Sequence, residues 1–148
     1  MKKIVSIGIL IACISASWAE DYTSAKDAEI LVMDAVKALG ADREGTLKEI
    51  TAKDKKWVHL DLYPVVYDMT GKCLAHGQNV KQVGKDLIEV ADADGKEFVK
   101  ERIALATSKG KFWQDYKFTD PITKKVLPKS AYCEKSNNDI ICAGIYKR

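Results

Sequence analysis

Apolar residues recur every three or four positions between Ala28 and Leu39, and this spacing predicts one long amphipathic helix near the start of the chain. Ser24 and Asp27 are spaced as a capping pair at its amino end. Gly40 is a natural stop at the other end, because glycine readily adopts the left-handed conformation that closes many helices.

A shorter helix opened by Asp42 is predicted next, and strand-like sequence follows it from Trp57 to Tyr67. Pro64 favours an edge strand or a bulge in that segment, because proline cannot donate a hydrogen bond within a sheet. Residues 68–71, Asp-Met-Thr-Gly, fit a type I turn that leads into a second strand at 72–76.

A third helix is predicted from a cap formed by Asp94 and Glu97, and Gly110 is its natural end. One side of this helix carries Phe98, Arg102 and Leu105. Three further strands are predicted, at 111–118, 126–135 and 139–146. Two helices, two strands, one helix and three strands joined by hairpin-length connections indicate an α+β fold with an antiparallel sheet.

The amino terminus has the pattern of a secretory signal peptide spanning residues 1–19. Lys2 and Lys3 precede an apolar run at 4–14, and Ser17-Trp18-Ala19 supplies small residues before a cut ahead of Glu20. The apolar run is shorter than the roughly 20 residues of a membrane-spanning helix. A rival interpretation is a lipoprotein signal with lipid on Cys13, although twelve preceding residues are few for such a signal.

Residues 20–148 suffice for one domain with a single core. Loss of Lys2 and Lys3 with the leader would lower the net charge from +3 to about +1, and the chain contains no long basic run. Nucleic acid is therefore not an expected partner. We expect a secreted or periplasmic protein without a membrane span after signal cleavage.

Two cysteines, Cys133 and Cys142, are placed for a disulfide. If Asn137-Asn138 is the two-residue turn of a hairpin, both cysteines are equidistant from it and face each other. Opposed residues on antiparallel strands lie close enough for a disulfide, which indicates an oxidising compartment. Cys73 is left over, and its alternating strand context predicts a buried core thiol.

The order of turns, aromatic residues and one lysine resembles the Cache sensor domains of bacteria, over nearly all of residues 20–148. The segments that carry the resemblance are Leu62-Tyr63 to Asp68, Gly71, Leu74-Ala75-His76-Gly77, Gly84-Lys85, Asp94-Gly95-Lys96, Phe98-Val99, Gly110, Trp113, Tyr116, Pro128-Lys129-Ser130-Ala131-Tyr132 and Gly144-Ile145-Tyr146. The long first helix also fits the single-Cache layout.

This resemblance implies a PAS-like sheet of five antiparallel strands, with a long first helix and covering helices, that holds a small organic anion. The expected ligand is a short carboxylate, and no cofactor is implied. Most such domains are the sensing part of chemoreceptors or kinases, but this sequence shows no second membrane segment, linker helix or output domain. We therefore expect a standalone periplasmic sensor that signals through a membrane receptor or another periplasmic protein. The alternative is a periplasmic interaction module that keeps the fold but has no ligand pocket.

A carboxylate pocket needs a cation and a few hydrogen-bond donors around an apolar wall. Lys129 is the expected cation, because it matches the Lys-Ser-x-Tyr segment of the family. His76 could donate to a carboxylate or respond to its protonation. The remaining candidates are aromatic: Tyr67, Trp113, Tyr116 and Tyr132. Alternation along a strand separates Trp113 from Tyr116 and Lys129 from Tyr132, so a bulge would be needed to bring all of them together.

Enzymatic and metal-binding functions are not expected. The chain has no Gly-x-Ser-x-Gly motif, and the paired carboxylates Asp61 and Asp68 have no evident pocket. His59 and His76 are distant in sequence and lack a cysteine pair, which argues against a metal site. A calcium loop starting at Val90 would lack its first carboxylate.

Overall fold

The structure is a computed structural model, and it describes residues 22–148. The predicted signal peptide and Cys13 lie outside this range. The elements are α1 (Ala25–Ala41), α2 (Arg43–Thr51), β1 (Pro64–Asp68), β2 (Cys73–His76), a 3-10 turn (Val80–Gln82), α3 (Phe98–Lys109), β3 (Lys111–Thr119), β4 (Val126–Ser136) and β5 (Asp139–Tyr146). The predicted element order and the α+β class are confirmed.

The five strands form one antiparallel sheet in the order β2-β1-β5-β4-β3. Directly opposed residues share a face of such a sheet, so its register decides which side chains can meet. Strands β3 and β4 pair without interruption from Lys111↔Glu134 to Thr119↔Val126. A regular register keeps odd and even positions of β3 on opposite faces.

One face of the sheet is covered by α1 and α2. The capping box of Ser24 and Asp27 is present, and Asp42 caps α2 by accepting a hydrogen bond from the backbone of Gly45. Apolar side chains of α1 pack on β1 and β5 in a buried cluster that includes Val32, Ala35, Val66, Ile141 and Ala143. This cluster is larger than either of the two clusters on the other face of the sheet.

The other face is covered by α3. Phe98 and Val99 pack with Tyr63, Val65 and Tyr67. A neighbouring cluster joins Ala106 to Phe112, Ala131 and the two disulfide cysteines. The polar residues described below lie between these two clusters.

The hairpin between β4 and β5 confirms the predicted disulfide. Cys133 pairs directly with Cys142, their Cα atoms are 4.2 Å apart, and the sulfur atoms are bonded. Asn137 has a φ of 54°, the left-handed conformation that the turn requires. Cys73 is fully buried as expected, and burial raises the pKa of its thiol to about 12.

Three local predictions were wrong. Helix α1 continues through Gly40, because Asp42 N–H still bonds to Ala38 O. The first strand starts at Pro64 and not at Trp57, because Leu60 has a positive φ that breaks the extended chain. Of the two alternatives that Pro64 indicated, the edge strand is not found, because β1 lies inside the sheet, whereas an irregularity of the bulge type is found between Val66 and Tyr67.

The third wrong prediction is the cap of α3. Asp92, not Asp94, organises the preceding turn by accepting hydrogen bonds from the backbone of Asp94 and Lys96. Gly95 has a φ of +81°, which takes the chain out of a helical path at that point. The helix therefore starts at Phe98, and Glu97 makes no side-chain cap. Among residues 22–148, no helix is long and apolar enough to cross a membrane.

Candidate ligand-binding site

The candidate site is built across three neighbouring strands on the α3 face. Lys129 of β4 pairs directly with Tyr116 of β3 and with Tyr146 of β5, so the three side chains form a row. Tyr63, just before β1, comes from the next strand along. The side chain of Lys129 thus has tyrosines from the neighbouring strands on both sides.

Lys129 is almost completely buried, with 3% of its surface exposed. Its ammonium donates to the hydroxyl of Tyr63 at 3.0 Å and to that of Tyr146 at 3.3 Å. It also lies over the rings of both tyrosines, 4.2 Å and 4.6 Å from the centroids. The hydroxyl of Tyr146 in turn donates a hydrogen bond to the carbonyl of Thr119. All the hydrogen-bond partners of this buried charge are neutral.

Arg102 supplies a second buried cation from α3, with 1% of its surface exposed. Its Nε donates to the side-chain oxygen of Gln114 at 2.9 Å. Its guanidinium lies against the rings of Tyr67 and Tyr116, 5.3 Å and 5.1 Å from their centroids. Nη2 is buried and has no hydrogen-bond partner among the described residues. Such an orphaned donor is rare in a folded protein and marks a place where a partner is missing.

Neither cation has a paired carboxylate among residues 22–148. The four buried acids each belong to another ion pair: Asp61 and Asp120 with Arg148, Asp139 with Arg43, and Glu134 with Lys111. Burying a charge without a counter-ion is unfavourable by several kcal/mol. Two such charges on one face of the sheet therefore form a site that is electrostatically incomplete.

A small cavity separates the two cations. It is lined by Tyr63, Val65, Arg102, Tyr116, Lys129, Ala131, Cys142, Ala143 and Gly144. Its volume of about 10 Å³ is enough for roughly one water molecule. A carboxylate would fill it only if neighbouring side chains moved outward, and Tyr116 also lines the surface groove just outside.

The phenol of Tyr116 is tuned by both cations. Burial raises the pKa of this group, but the positive charges of Lys129 and Arg102 outweigh burial and hold the pKa below its ordinary value. In the same way, burial lowers the pKa of Lys129, yet the neighbouring Tyr116 and Tyr63 outweigh burial and keep it above the ordinary value. Lys129 is therefore charged at neutral pH.

Gly144 leaves the space that the Lys129 side chain occupies. A Cβ at position 144 would lie 2.8 Å from Cε of Lys129 and 2.9 Å from the carbonyl oxygen of Ser130. We expect Gly144→Ala to lower the free energy of unfolding by about 1–3 kcal/mol, because backbone and a packed lysine stem must both shift. Urea unfolding measures this change.

Gly40→Ala is the matched control, because no atom lies within 4 Å of a Cβ at that helical position. It should stabilise the protein by roughly 0.5–1 kcal/mol. Equal effects of the two substitutions would show that the contact at Gly144 is of no consequence.

The six residues predicted from the sequence do not share one face. Lys129, Tyr116 and Tyr67 lie together on the α3 face around the cavity and Arg102. Trp113 and Tyr132 lie on the opposite face, where they pack against each other and Tyr132 joins the α1 cluster. No bulge interrupts β3 or β4 to bring them back. We therefore leave these two residues out of the proposed site.

His76 lies at the edge of the site in a structural role. Its ring stacks on Tyr63, and its Nδ1 accepts hydrogen bonds from the backbone of Gln78 and Asn79. Burial, followed by the nearby charge of Lys129, lowers its pKa to about 3. His76 is therefore neutral near pH 7, and a role for it at the ligand stays a prediction.

Arg102, Tyr63 and Tyr146 were not predicted as site residues. The signal for Arg102 was present, because an arginine occupied an apolar side of the third helix between Phe98 and Leu105. Tyr63 had been predicted to pack in the core, where it does lie, but its hydroxyl also binds Lys129. The role of Tyr146 becomes visible only once β5 is paired with β4.

Asp61 and Asp92 hold parts of the fold together. Asp61 is fully buried in its ion pair with Arg148 and also accepts a hydrogen bond from Thr23. Both oxygens of Asp92 accept backbone N–H groups, from Lys96 and Lys117 among others. Within the part of the chain that the structure describes, no group of three or more His, Cys, Asp or Glu side chains is placed to hold a metal ion.

Comparison with known proteins adds a family and a set of structural neighbours. The family model described as "Single Cache domain 2" matches residues 14–146. A solved structure described as "Structural basis for carboxylic acid recognition by a Cache chemosensory domain" superposes on this chain with a TM-score of 0.71 at 23% sequence identity. The match covers 83% of this chain and 92% of that structure.

Two chemotaxis proteins give similar agreement. The first, a methyl-accepting chemotaxis protein from Vibrio parahaemolyticus, has a TM-score of 0.68 at 22% identity and covers 82% of this chain and 86% of its own. The second, a periplasmic sensor domain of a chemotaxis protein, has a TM-score of 0.66 at 20% identity, with coverages of 83% and 90%. A search of curated proteins finds no match. At these identities the likeness shows the fold alone.

Proposed function

Since this chain belongs to the single Cache domain 2 family, we propose that it is a sensor domain that binds a short organic anion between Lys129 and Arg102. The observation that carries the proposal is the pair of buried cations without a counter-ion. A bound carboxylate would complete the electrostatics of the site and give Arg102 Nη2 an acceptor.

The chemistry of the cavity wall supports a carboxylate with a small carbon tail. Hydroxyl groups of Tyr63 and Tyr146 lie beside Lys129 and can hydrogen-bond a ligand oxygen. Val65, Ala131 and Ala143 give the apolar side against which a tail can pack. No acidic side chain among residues 22–148 lines the cavity, so no carboxylate there would pair with an ammonium group. We therefore propose a simple carboxylate in preference to an amino acid or an amine.

A periplasmic or secreted location fits the proposal. The Cys133–Cys142 disulfide implies an oxidising compartment, as does the signal-like pattern of residues 1–19. A chemotaxis protein and a periplasmic sensor domain are among the proteins of similar fold. In this setting the domain would report its ligand to a membrane receptor or another periplasmic protein.

The small volume of the cavity favours one competing function. A site with room for one water molecule could be filled by its own side chains, which would leave a periplasmic interaction module without a small-molecule ligand. In that case the buried cations would serve only to hold Tyr63, Tyr67, Tyr116 and Tyr146 in place through cation–π contacts. The two functions differ in whether a carboxylate stabilises the protein.

Thermal unfolding with short carboxylates tests the proposal. A ligand at about a hundred times its dissociation constant adds roughly 2.7 kcal/mol to the free energy of unfolding, which raises Tm by several degrees. We expect such a shift with at least one member of a series from formate to butyrate, with the disulfide intact. Acetamide and propionamide are the controls, because they match the carboxylates in shape but carry no charge. A series without any shift would exclude the anion-binding function and favour the interaction module.

A further inference from the structure

Gln114 lies at the centre of a polar chain that runs from the surface to Arg102. Its oxygen accepts from Arg102 Nε at 2.9 Å, and its amide nitrogen donates to the carbonyl of Phe98 at 2.8 Å and to Glu101 at 2.6 Å. Glu101 is in turn paired with Lys96 at 2.8 Å. Gln114 itself is 3% exposed.

Only an amide satisfies all the neighbours of residue 114. One end faces an N–H donor and needs an acceptor, whereas the other end faces two oxygen acceptors and needs a donor. A carboxylate would present acceptors at both ends and would place two negative groups in contact. A methionine or leucine would leave Arg102 Nε and Glu101 without this partner.

The amide of Gln114 also restricts the position of the Glu101 carboxylate relative to Arg102. Glu101 lies one residue before Arg102 on α3. Burial raises its pKa, but the hydrogen bond from Gln114, the bond and charge of Lys96 and, as the smallest cause, the charge of Arg102 outweigh burial and lower it. Its side chain is partly exposed and would be free to turn, but Gln114 and Lys96 both hold it. Gln114 binds Arg102 on its other side with a neutral oxygen, so Arg102 is fixed in position without being neutralised.

We propose that Gln114 is a specificity-determining positioning residue: it holds Glu101 away from Arg102 and so keeps the guanidinium available for an anionic ligand. This inference rests on the proposed carboxylate site, and it adds the reason why a nearby acid does not occupy that site. A buried arginine beside an acid would otherwise form an internal ion pair, and the cavity would lose half its attraction for a carboxylate.

The test moves one carboxylate by exchanging two residues. The double variant Glu101→Gln with Gln114→Glu has the same composition and net charge as the native chain, and the hydrogen bond between the two side chains is kept with donor and acceptor reversed. The carboxylate now faces Arg102. We expect the affinity for acetate or propionate, measured by calorimetry, to fall at least tenfold. Glu101→Gln alone leaves the bond between Gln114 and Arg102 intact and should bind within about twofold of the native protein.

A second series covers the case in which the exchanged variant does not fold. Gln114→Met removes the amide that lies between Glu101 and Arg102 without adding a charge. The Glu101 carboxylate can then turn to Arg102, and the affinity for the carboxylate should fall about as much as in the exchanged variant. Adding Glu101→Gln to Gln114→Met removes the competing acid and should restore most of the affinity. A merely structural role of Gln114 predicts no such restoration, and a loss that persists in this double variant would overturn the inference.

The ligand-free proteins separate this inference from the proposed function. In the exchanged variant the carboxylate of residue 114 pairs with Arg102, so its pKa should lie further below the unfolded value than that of Glu101 does in the native protein, and its stabilisation should be lost as the pH falls from about 5 toward 2. If the native protein binds a carboxylate and the exchanged variant binds it equally well, the inference fails and the proposed function stands. If the native protein binds none, the proposed function fails, and an unchanged pH dependence of Tm would then overturn the role of Gln114 as well.

Discussion

Lys129→Met is expected to weaken carboxylate binding by at least about thirtyfold, because removal of one partner of a buried charge pair commonly costs 2 kcal/mol or more. Methionine matches the length of the lysine stem that passes over Gly144, so the shape of the cavity is preserved. The hydroxyl groups of Tyr63 and Tyr146 are 3.1 Å apart and can still bond to each other. Calorimetric titration with the best ligand of the carboxylate series measures the change.

The same substitution should change the stability of the ligand-free protein little. Burial of the Lys129 charge opposes folding, whereas its contacts with Tyr63 and Tyr146 favour folding, and replacing buried charges with apolar groups of similar volume is often neutral or stabilising. Lys135→Met is the control, because Lys135 is exposed on the same strand. Unchanged affinity in Lys129→Met would place the ligand elsewhere. A large loss of ligand-free stability would show that the contacts of Lys129 with its tyrosines outweigh the burial of its charge.

A gain in stability on loss of binding would identify the site as a functional compromise. Proteins tolerate locally unfavourable arrangements where function requires them, and the rest of the fold compensates. Here the compensation is visible in the ordinary core around the site, where the disulfide, the two apolar clusters on the α3 face and the α1 layer are well packed. The unpaired Nη2 of Arg102 is the clearest local exception.

Features set by nearby residues were predictable from the sequence. The position of the turn at Asn137 determines which residues of β4 and β5 face each other, so the pairing of the two cysteines follows from counting residues on either side of the turn. This register requires no knowledge of the remaining fold. The same two-residue periodicity already separated Trp113 from Tyr116 and Tyr132 from Lys129. The start of α3 was missed because two local signals competed, and the turn around Asp92 and Gly95 prevailed over the apparent cap at Asp94.

Features set by distant residues were not predictable in this way. An arginine in a helix is usually exposed, so the position of Arg102 alone does not reveal that it is buried. Its burial depends on rings from β1 and β3 and on the amide of Gln114, which come together only in the folded sheet. The likeness to the family pointed to Lys129, but the absence of any counter-ion is a property of the whole structure and not of a motif.

His76→Asn is expected to remove roughly 3 kcal/mol of the stability difference between pH 7 and pH 4. Burial, and then the charges of Lys129, Lys53 and Arg102, lower the pKa of His76 to about 3, against an ordinary value of 6.5. The unfolded chain therefore binds a proton on this residue at a pH where the folded protein does not. Stability is full above pH 6.5 and falls as the pH decreases toward 3, because protonation favours the unfolded state.

Asparagine is the suitable replacement, because its side-chain oxygen can accept the backbone N–H groups of Gln78 and Asn79 that Nδ1 of His76 accepts. Acidic residues also contribute to the loss of stability in acid, but they are the same in both proteins and cancel in the comparison. His59→Asn is the matched control, because His59 is exposed. Urea unfolding at pH 7, 5.5 and 4 gives the three profiles. If His76→Asn loses as much stability as the native protein between pH 7 and pH 4, His76 is not held neutral by its burial beside the two cations.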